Sequence, residues 1–205
     1  MENNIIETTK KSQSDFGVLR NESIISDIRE FVENECRKPS SKYGYMPFIE
    51  HFVPVVKYAK MLAEKLNADS EIVEISAWLH DIGSIIYGRD NHHITSSEIA
   101  ETKLLEIGYS REKIERVKHC IIAHRGSKSI KRETLEAQIL ADADSLSHFD
   151  DVNVLIGAYM EHENKDLKTA KKAVLEKLNN SFNKLSPEAK IIFKSNYENA
   201  IGLLN

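Results

Sequence analysis

The sequence predicts an all-α protein built as a compact multi-helix bundle. Apolar residues recur at spacings of three and four along most of the chain, as they do on the buried face of an amphipathic helix. No segment shows the alternation of a convincing strand. In addition, four prolines and eight glycines in 205 residues leave little room for a sheet protein with many turns.

Length and composition indicate one globular domain with modest extensions. Hydrophobic residues make up 41% of the chain and charged residues 29%, which is ordinary for a globular protein with its own core. Residues 1–18 are polar and aperiodic, and we expect a loose leader there that could stay poorly ordered. We expect residues 19–205 to form a single helical domain, with its core at about 45–150 and C-terminal helices in 151–205.

Charge and hydropathy argue against two kinds of partner. The 28 basic and 32 acidic residues give a net charge of −4 without any basic block, so duplex nucleic acid is not an expected partner. No apolar run approaches the roughly 18 residues of a membrane span. The start Met1-Glu2-Asn3-Asn4 does not resemble a signal peptide, so we expect a cytoplasmic protein without a membrane partner. The sequence predicts no particular oligomeric state.

The first two helices follow from apolar spacing and from proline. A helix is predicted from Ser23 to just before Lys38-Pro39, because the residue ahead of a proline disfavours helical geometry. The next helix begins near His51, since Pro54 is tolerated only in a first turn. His51 lies one turn before Val55 on the same apolar stripe, so it should point inward.

The third helix should deliver a histidine and an aspartate to the core. Residues 67–70 break the preceding helix and supply a cap, and an apolar stripe then runs up to His80-Asp81. Neighbouring residues on a helix point about 100° apart, so this pair can reach one ion only from the helix end. Gly83 is predicted to end the helix in a left-handed conformation.

Two further helices are predicted after this glycine. Residues 87–93 read as a loop, and a capping-box pattern at Thr95 starts a helix that runs through Ile107. Ser110 caps the helix after it, and the spacing of the apolar residues in that helix turns His124 inward.

A helix from about Thr134 carries two aspartates among alanine and leucine residues. Periodicity puts Asp142 on the main apolar stripe and Asp144 on the other side, beside Leu140. His148 is predicted to be a surface group. Three more helices are expected, at 152–160, 170–178 and 189–204.

Several of these inward-pointing groups can ionise. Burying a charge or an unpaired polar group costs several kcal/mol, so such groups should be paired with one another or bound to a metal. Imidazole and carboxylate donors together suit manganese, iron, cobalt, nickel or zinc. A bound ion would lower the pKa of water toward about 7 and polarise a phosphoryl oxygen. The residues concerned are His51, His80, Asp81, His124 and at least one of Asp142 and Asp144.

The order of these residues resembles the HD superfamily of metal-dependent phosphohydrolases. His80-Asp81 follows His51 by 29 positions, and Asp144 follows Asp81 by 63. The resemblance covers about residues 45–150 and implies a helical bundle of the HD-domain type. Its ligands would be His51, His80, Asp81 and a late aspartate. The family pattern favours Asp144, whereas periodicity favours Asp142, which would otherwise support a ligand from behind or cap a helix.

Relatives with two metals add histidines at positions that His92 and His124 match. We therefore expect one divalent transition-metal ion, and a second if both histidines are ligands; otherwise they contact the substrate. Ser84 and Ser147 replace a lysine and an aspartate found in many members. Arg89 and Arg125 then become the candidates for phosphate binding.

The sequence thus predicts a metal-dependent phosphohydrolase that acts on a small phosphorylated molecule, a nucleotide or a nucleotide-like compound. Asp81 would be the catalytic residue and would orient the attacking water as a general base. One alternative is a di-iron oxygenase of the same fold, with His92 and His124 completing the second iron site. The other is a non-catalytic HD-type binding module that merely retains the metal-binding residues.

Overall fold

The computed structural model describes residues 22–125 and 130–204, and in these ranges every regular element is helical. The all-α prediction is therefore confirmed, and the expected leader at 1–18 lies outside the described residues. No helix in these ranges is both long and apolar enough to cross a membrane. The elements are α1 (22–37), a π-helical turn (Phe48–Phe52), α2 (Val53–Leu66), α3 (Ser70–Leu79), α4 (Ile82–Tyr87), α5 (His92–Glu106), α6 (Arg111–Ala123), α7 (Leu135–Ser147), α8 (Val152–His162), α9 (Leu167–Lys184) and α10 (Pro187–Gly202).

Helix α3 lies at the centre of the bundle because it is apolar almost all the way round. It packs against α2, α6 and α7, and every residue from Ile75 to Leu79 is buried. A helix that is buried on several faces cannot have an outer polar stripe. Asp69 caps its N-terminus by accepting a hydrogen bond from the Ile72 amide at 3.3 Å. The polar residues that follow Leu79 therefore emerge in the middle of the protein.

The short helix α4 corrects the sequence prediction in this region. Residues 82–87 are helical, and α5 begins at His92, three residues before the predicted start. Gly83 lies inside α4 and does not have a positive φ, so the predicted left-handed stop at Gly83 is wrong. Gly88, with a φ of 99°, ends the helix instead.

Gly83 is needed for a different reason, which is the close approach of α4 and α5. A Cβ atom at this position would lie 2.2 Å from Thr95 Oγ1 and 2.6 Å from the Ser96 nitrogen. The Gly83 amide donates a hydrogen bond to Ser96 Oγ at 2.9 Å. The glycine thus allows two backbones to touch and brings the start of α5 beside the end of α3.

The C-terminal helices build a second, smaller apolar cluster. Helix α9 packs against α7, α8 and α10. The last helix, α10, is capped by Ser186, whose side chain accepts a hydrogen bond from the Ala189 amide at 3.2 Å. The buried members of this cluster are Val152, Ile156, Ala170, Val174, Leu178, Ala200 and Leu204.

Candidate metal centre

His51 reaches the centre of the protein from the π-helical turn that precedes α2. Phe48 and Phe52, the ends of this turn, are 3% and 0% exposed and hold it against the core. Short π-helical turns inside helices occur frequently at functional sites. The Nε2 atom of His51 lies 3.0 Å from the Nε2 atom of His80.

His80 and Asp81 occupy the break between α3 and α4. Helix α3 ends at Leu79, and Asp81 precedes α4 with φ −114° and ψ 12°. This break is where the sequence placed the pair. His80 Nδ1 donates to the Ala77 carbonyl oxygen at 2.8 Å. A neutral imidazole carries one N–H, so His80 Nε2 presents a lone pair to the cluster.

The Asp81 carboxylate lies between two groups of histidines. Its Oδ2 atom is 3.5 Å from His51 Nε2 and 4.0 Å from His80 Nε2. Its Oδ1 atom is 3.2 Å from His92 Nε2 and 3.6 Å from His124 Nε2. Each side therefore offers two imidazole nitrogens and one carboxylate oxygen, within 4.8 Å of one another. Asp81 is shared by both sets.

His92 and His124 are oriented in the same way as His80. His92 directs Nδ1 to the Arg89 carbonyl oxygen at 2.9 Å, and His124 directs Nδ1 to the Ile121 carbonyl oxygen at 2.5 Å. A carbonyl oxygen only accepts, so Nδ1 carries the proton and Nε2 is left with its lone pair. Metal-bound histidines characteristically use their second nitrogen in this way.

In these orientations the Asp81 carboxylate lacks a hydrogen-bond donor, within the described ranges, at one of its oxygen atoms. Its Oδ1 atom is buried, and no described residue donates a hydrogen bond to it. With Nδ1 bound to a carbonyl oxygen, His92 and His124 both turn Nε2 toward this oxygen, so a cation between these atoms or a proton on Nε2 would stabilise the group. The donor set of imidazole and carboxylate suits a divalent transition metal.

The ionisation of the cluster follows from its burial and its charges. Burial raises the pKa of Asp81, but nearby His80, His124 and His51 outweigh it and hold that pKa well below its usual value. Burial lowers the pKa of His80 to about 4 despite Asp81. Burial also lowers the pKa values of His51 and His124, yet their contacts with Asp81 leave both raised.

Asp142 and Asp144 face opposite sides of α7. Asp144 Oδ1 lies 3.7 Å from His51 Nε2, and positive charge from His51 outweighs burial to lower its pKa. Asp142 instead accepts hydrogen bonds from the Ser186 amide at 3.0 Å and the Ser186 hydroxyl at 2.6 Å. The geometry thus brings Asp144 to the centre and gives Asp142 the capping position, at the start of α10.

The two arginines predicted to bind phosphate lie in different surroundings. Arg89 is exposed, and its carbonyl oxygen holds His92. Arg125 is half-buried, and its Nη1 atom lies 3.3 Å from His93 Nδ1. Arg89 follows α4, and Arg125 directly follows His124 at the end of α6.

His148 is not the plain surface group that the sequence predicted. Its Nδ1 atom is hydrogen-bonded to Ser181 Oγ at 2.9 Å. Burial and the charge of Lys177 lower its pKa to about 4, against the opposing charge of Asp144. One signal was available in the sequence, because His148 follows Asp144 by one helical turn and so shares its face. Lys177, on α9, had no such signal.

Comparisons with known proteins match the part of the chain that carries this centre. The family model described as HD domain matches residues 48–149, the stretch from the π-helical turn to the end of α7. An uncharacterized protein of Clostridium beijerinckii is 37% identical over 103 residues, or 48% of this chain and 63% of that protein. A tRNA (cytidine(56)-2'-O)-methyltransferase of Picrophilus torridus is 28% identical over 136 residues, or 60% of this chain and 38% of that protein. The chain thus spans less than two thirds of either curated relative.

Solved structures share the fold. Bacillus subtilis YpgQ in complex with ADP is 20% identical, with a TM-score of 0.67 over 90% of this chain and 92% of YpgQ. A protein described as a predicted HD superfamily hydrolase, from an uncultured Thermotogales bacterium, is 24% identical. Its TM-score is 0.51 over 73% of this chain and 84% of that protein.

Proposed function

Because the chain belongs to the HD superfamily of metal-dependent phosphohydrolases, we propose that it hydrolyses a small phosphate ester or anhydride of a nucleotide or nucleotide-like compound. The observation that carries this proposal is the Asp81 carboxylate, which lies between two sets of histidine nitrogens with one buried oxygen lacking any hydrogen bond among the described residues.

The ligands divide between the two sides of Asp81. His51, His80, Asp81 and Asp144 would hold one ion, and Asp81 with His92 and His124 would hold a second. A divalent ion bound there supplies a Lewis acid, which lowers the pKa of water and polarises a phosphoryl oxygen. Manganese, iron, cobalt, nickel and zinc all accept this mixture of nitrogen and oxygen donors.

Residues of the chain would then position the attacking water and the phosphate. Because its pKa is held well below the usual value, Asp81 is anionic at neutral pH and can accept a hydrogen bond from the attacking water. Asp81 would thereby orient that water toward phosphorus and act as its general base. Arg89 and Arg125 would neutralise the charge of the phosphate.

The choice of a nucleotide rests on a protein of the same fold. YpgQ, which shares the fold, has been crystallised with ADP, so nucleotides come first in a substrate screen. The screen should also contain sugar phosphates and simple phosphate esters, and it should use the metal found by elemental analysis of the purified protein.

The decisive variant is Asp81→Asn, which removes the shared negative charge with little change in shape. Metal content should fall, and kcat/KM should drop by about 100-fold or more because both the ligand and the base are altered. Asp27→Asn is the matched control, because Asp27 is exposed on α1, far along the chain from the centre. Unchanged hydrolysis of every accepted substrate by the Asp81 variant would refute the proposal.

A di-iron oxygenase is the second candidate, since a carboxylate shared by two sets of histidines also fits a pair of irons. Assays of iron-loaded protein with and without oxygen separate the two activities. Turnover that needs no oxygen excludes the oxygenase. Purified protein without stoichiometric metal, and with no gain in melting temperature from added manganese, nickel or iron, would favour a binding module over either enzyme.

A further inference from the structure

A groove of about 450 Å³ lies beside the metal centre, where the end of α7 meets α8 and α9. Its wall includes His148 from the end of α7 and Lys177, Ser181 and Lys184 from α9. Helices α8 and α9 lie outside the matched HD domain, which ends at residue 149. We call this feature the cationic groove, after Lys177 and Lys184.

The charges in the cationic groove do not cancel locally. Of its acidic residues, Glu163 pairs with Lys165, and Glu176 is exposed. Neither Lys177 nor Lys184 forms an ion pair with any residue in 22–125 or 130–204. Lys177 is half-buried, so its ammonium group has given up part of its hydration without gaining an anionic partner.

The cationic groove is linked to the metal centre through α7, because His148 in the groove wall follows Asp144 by one helical turn. Burial lowers the pKa of Lys177; the Asp144 carboxylate opposes this effect, and the charges of Arg89 and Lys184 add to it. Besides burial, the charges of Lys177 and His51 lower the pKa of His148, and the charge of Asp144 raises it. Lys177 therefore lies close enough to Asp144, a proposed metal ligand, to interact with it electrostatically, and Arg89 and Lys184 lie within the same kind of range of Lys177.

We propose that the cationic groove binds a phosphate group of the substrate other than the one that reacts at the metal centre. The substrate class is then an organic diphosphate or triphosphate. This inference rests on the proposed function, in which the metal centre holds the reacting phosphoryl group. The C-terminal helices would thus select substrates by the number of phosphate groups that they carry.

The chemistry of the groove fits this ligand. A lysine ammonium group binds phosphate as a point charge, and the bond is stronger where water is partly excluded. A single phosphate at the metal centre would be compensated by ions bound there and would leave the two lysines unpaired. A second phosphate next to it would supply the missing negative charge, and the Ser181 hydroxyl at the groove wall offers a further hydrogen bond.

The test measures binding without turnover. The full-length protein, loaded with Mn²⁺, is titrated by calorimetry with methylenediphosphonate, a pyrophosphate analogue that resists hydrolysis, and with inorganic phosphate. The test variant is Lys177→Gln combined with Lys184→Gln. The matched control is Lys168→Gln combined with Lys172→Gln, which removes the same charge from exposed positions of the same helix, outside the groove.

The double variant should bind methylenediphosphonate about tenfold more weakly than the parent, as lost contacts between charged groups predict. Inorganic phosphate should bind both proteins within about twofold, and the control variant should match the parent for both ligands. Equal affinity of parent and double variant for methylenediphosphonate would overturn the proposal. An equal loss for inorganic phosphate would also overturn it, because the lysines would then serve the reacting phosphate.

The two proposals fail in different ways. If the parent hydrolyses no phosphate compound but the lysine variant still shows the selective loss of methylenediphosphonate binding, the hydrolase proposal falls and the cationic groove remains an anion site. If the parent hydrolyses a phosphate compound but the lysine variant binds methylenediphosphonate as tightly as the parent, only the proposal for the cationic groove is refuted. Melting temperatures of the three proteins verify that each variant is folded.

Discussion

His51 and His80 point their Nε2 atoms at each other across 3.0 Å. His80 cannot supply a proton to this contact, because its single N–H is donated to the Ala77 carbonyl oxygen. The raised pKa of His51 favours a protonated ring there, which can donate to the lone pair of His80. A metal ion needs both lone pairs, so it competes with that proton.

Metal binding should therefore release protons and weaken in acid. For a histidine whose folded pKa is raised above 6.5, affinity should rise with pH until the ring is deprotonated in the free protein, by about tenfold per pH unit for each proton released. Calorimetry of Mn²⁺ binding from pH 5.5 to 7.5, in buffers of different ionisation enthalpy, counts these protons. An affinity that does not change over this range would contradict the proposed ligands.

The two aspartates of α7 should have separable effects. Asp144→Asn should lose bound metal with little change in stability. Asp142→Ala should keep its metal but lose about 1–3 kcal/mol of unfolding free energy, because it leaves the Ser186 groups at the start of α10 unsatisfied. Elemental analysis and urea denaturation of both variants measure the two quantities. If the Asp142 variant loses metal and the Asp144 variant does not, the assignment is reversed.

His92 and His124 should control a second ion. Replacing either by alanine should lower the metal content from two ions toward one, because each supplies one of three donors on that side of Asp81. His119→Ala is the control, since His119 belongs to neither set of ligand candidates among the described residues and its ring accepts a hydrogen bond from the Glu133 amide at 3.1 Å. A parent protein that binds a single ion, unaffected by either change, would assign both histidines to substrate contact.

Gly83→Ala should damage the centre without touching a ligand side chain. The new methyl group would lie 2.2 Å from Thr95 Oγ1 and 2.9 Å from the His92 carbonyl oxygen, so α4 and α5 must separate. We expect a loss of about 1–3 kcal/mol in stability and weaker binding of the second ion. Gly157→Ala in α8 meets open space and should be neutral or slightly stabilising. Denaturation and metal titration compare the two; equal behaviour would contradict the steric argument.

His148 should make the protein less stable in acid. Its folded pKa of about 4 lies below the ordinary 6.5, so between these values the unfolded chain binds a proton that the folded protein does not. Stability is thus lost as pH falls from 6.5 toward 4, by at most about 1.4 kcal/mol per pH unit from this residue. His148→Gln should reduce that slope in urea denaturation series at several pH values. An identical slope would show that the residue does not titrate in this way.

Capping patterns and helical periodicity predicted those features of the fold that depend on a single helix. The cap at Ser110 and the start of a helix at Thr134 follow from local patterns, and the structure has both. Periodicity also predicted that His51 and His124 point inward, and in the structure they lie on either side of Asp81.

Contacts between distant segments could not be predicted in the same way. The role of Gly83 depends on how closely α5 approaches, and the six-residue α4 is too short for a periodic pattern. Asp142 and Asp144 both lie on a helix that is covered on two sides, so an apolar stripe cannot tell a ligand from a cap. The environment of His148 depends on Lys177, which is 29 positions away and on another helix.

The π-helical turn at Phe48–Phe52 makes the chain unusually sensitive to length at one point. Such a turn holds one residue more than the α-helical turn it replaces. Deleting a single residue there would restore ordinary helical geometry and rotate everything before it by about 100° relative to α2. Insertions and deletions in this turn, unlike those in a surface loop, should therefore be as damaging as replacement of His51 itself.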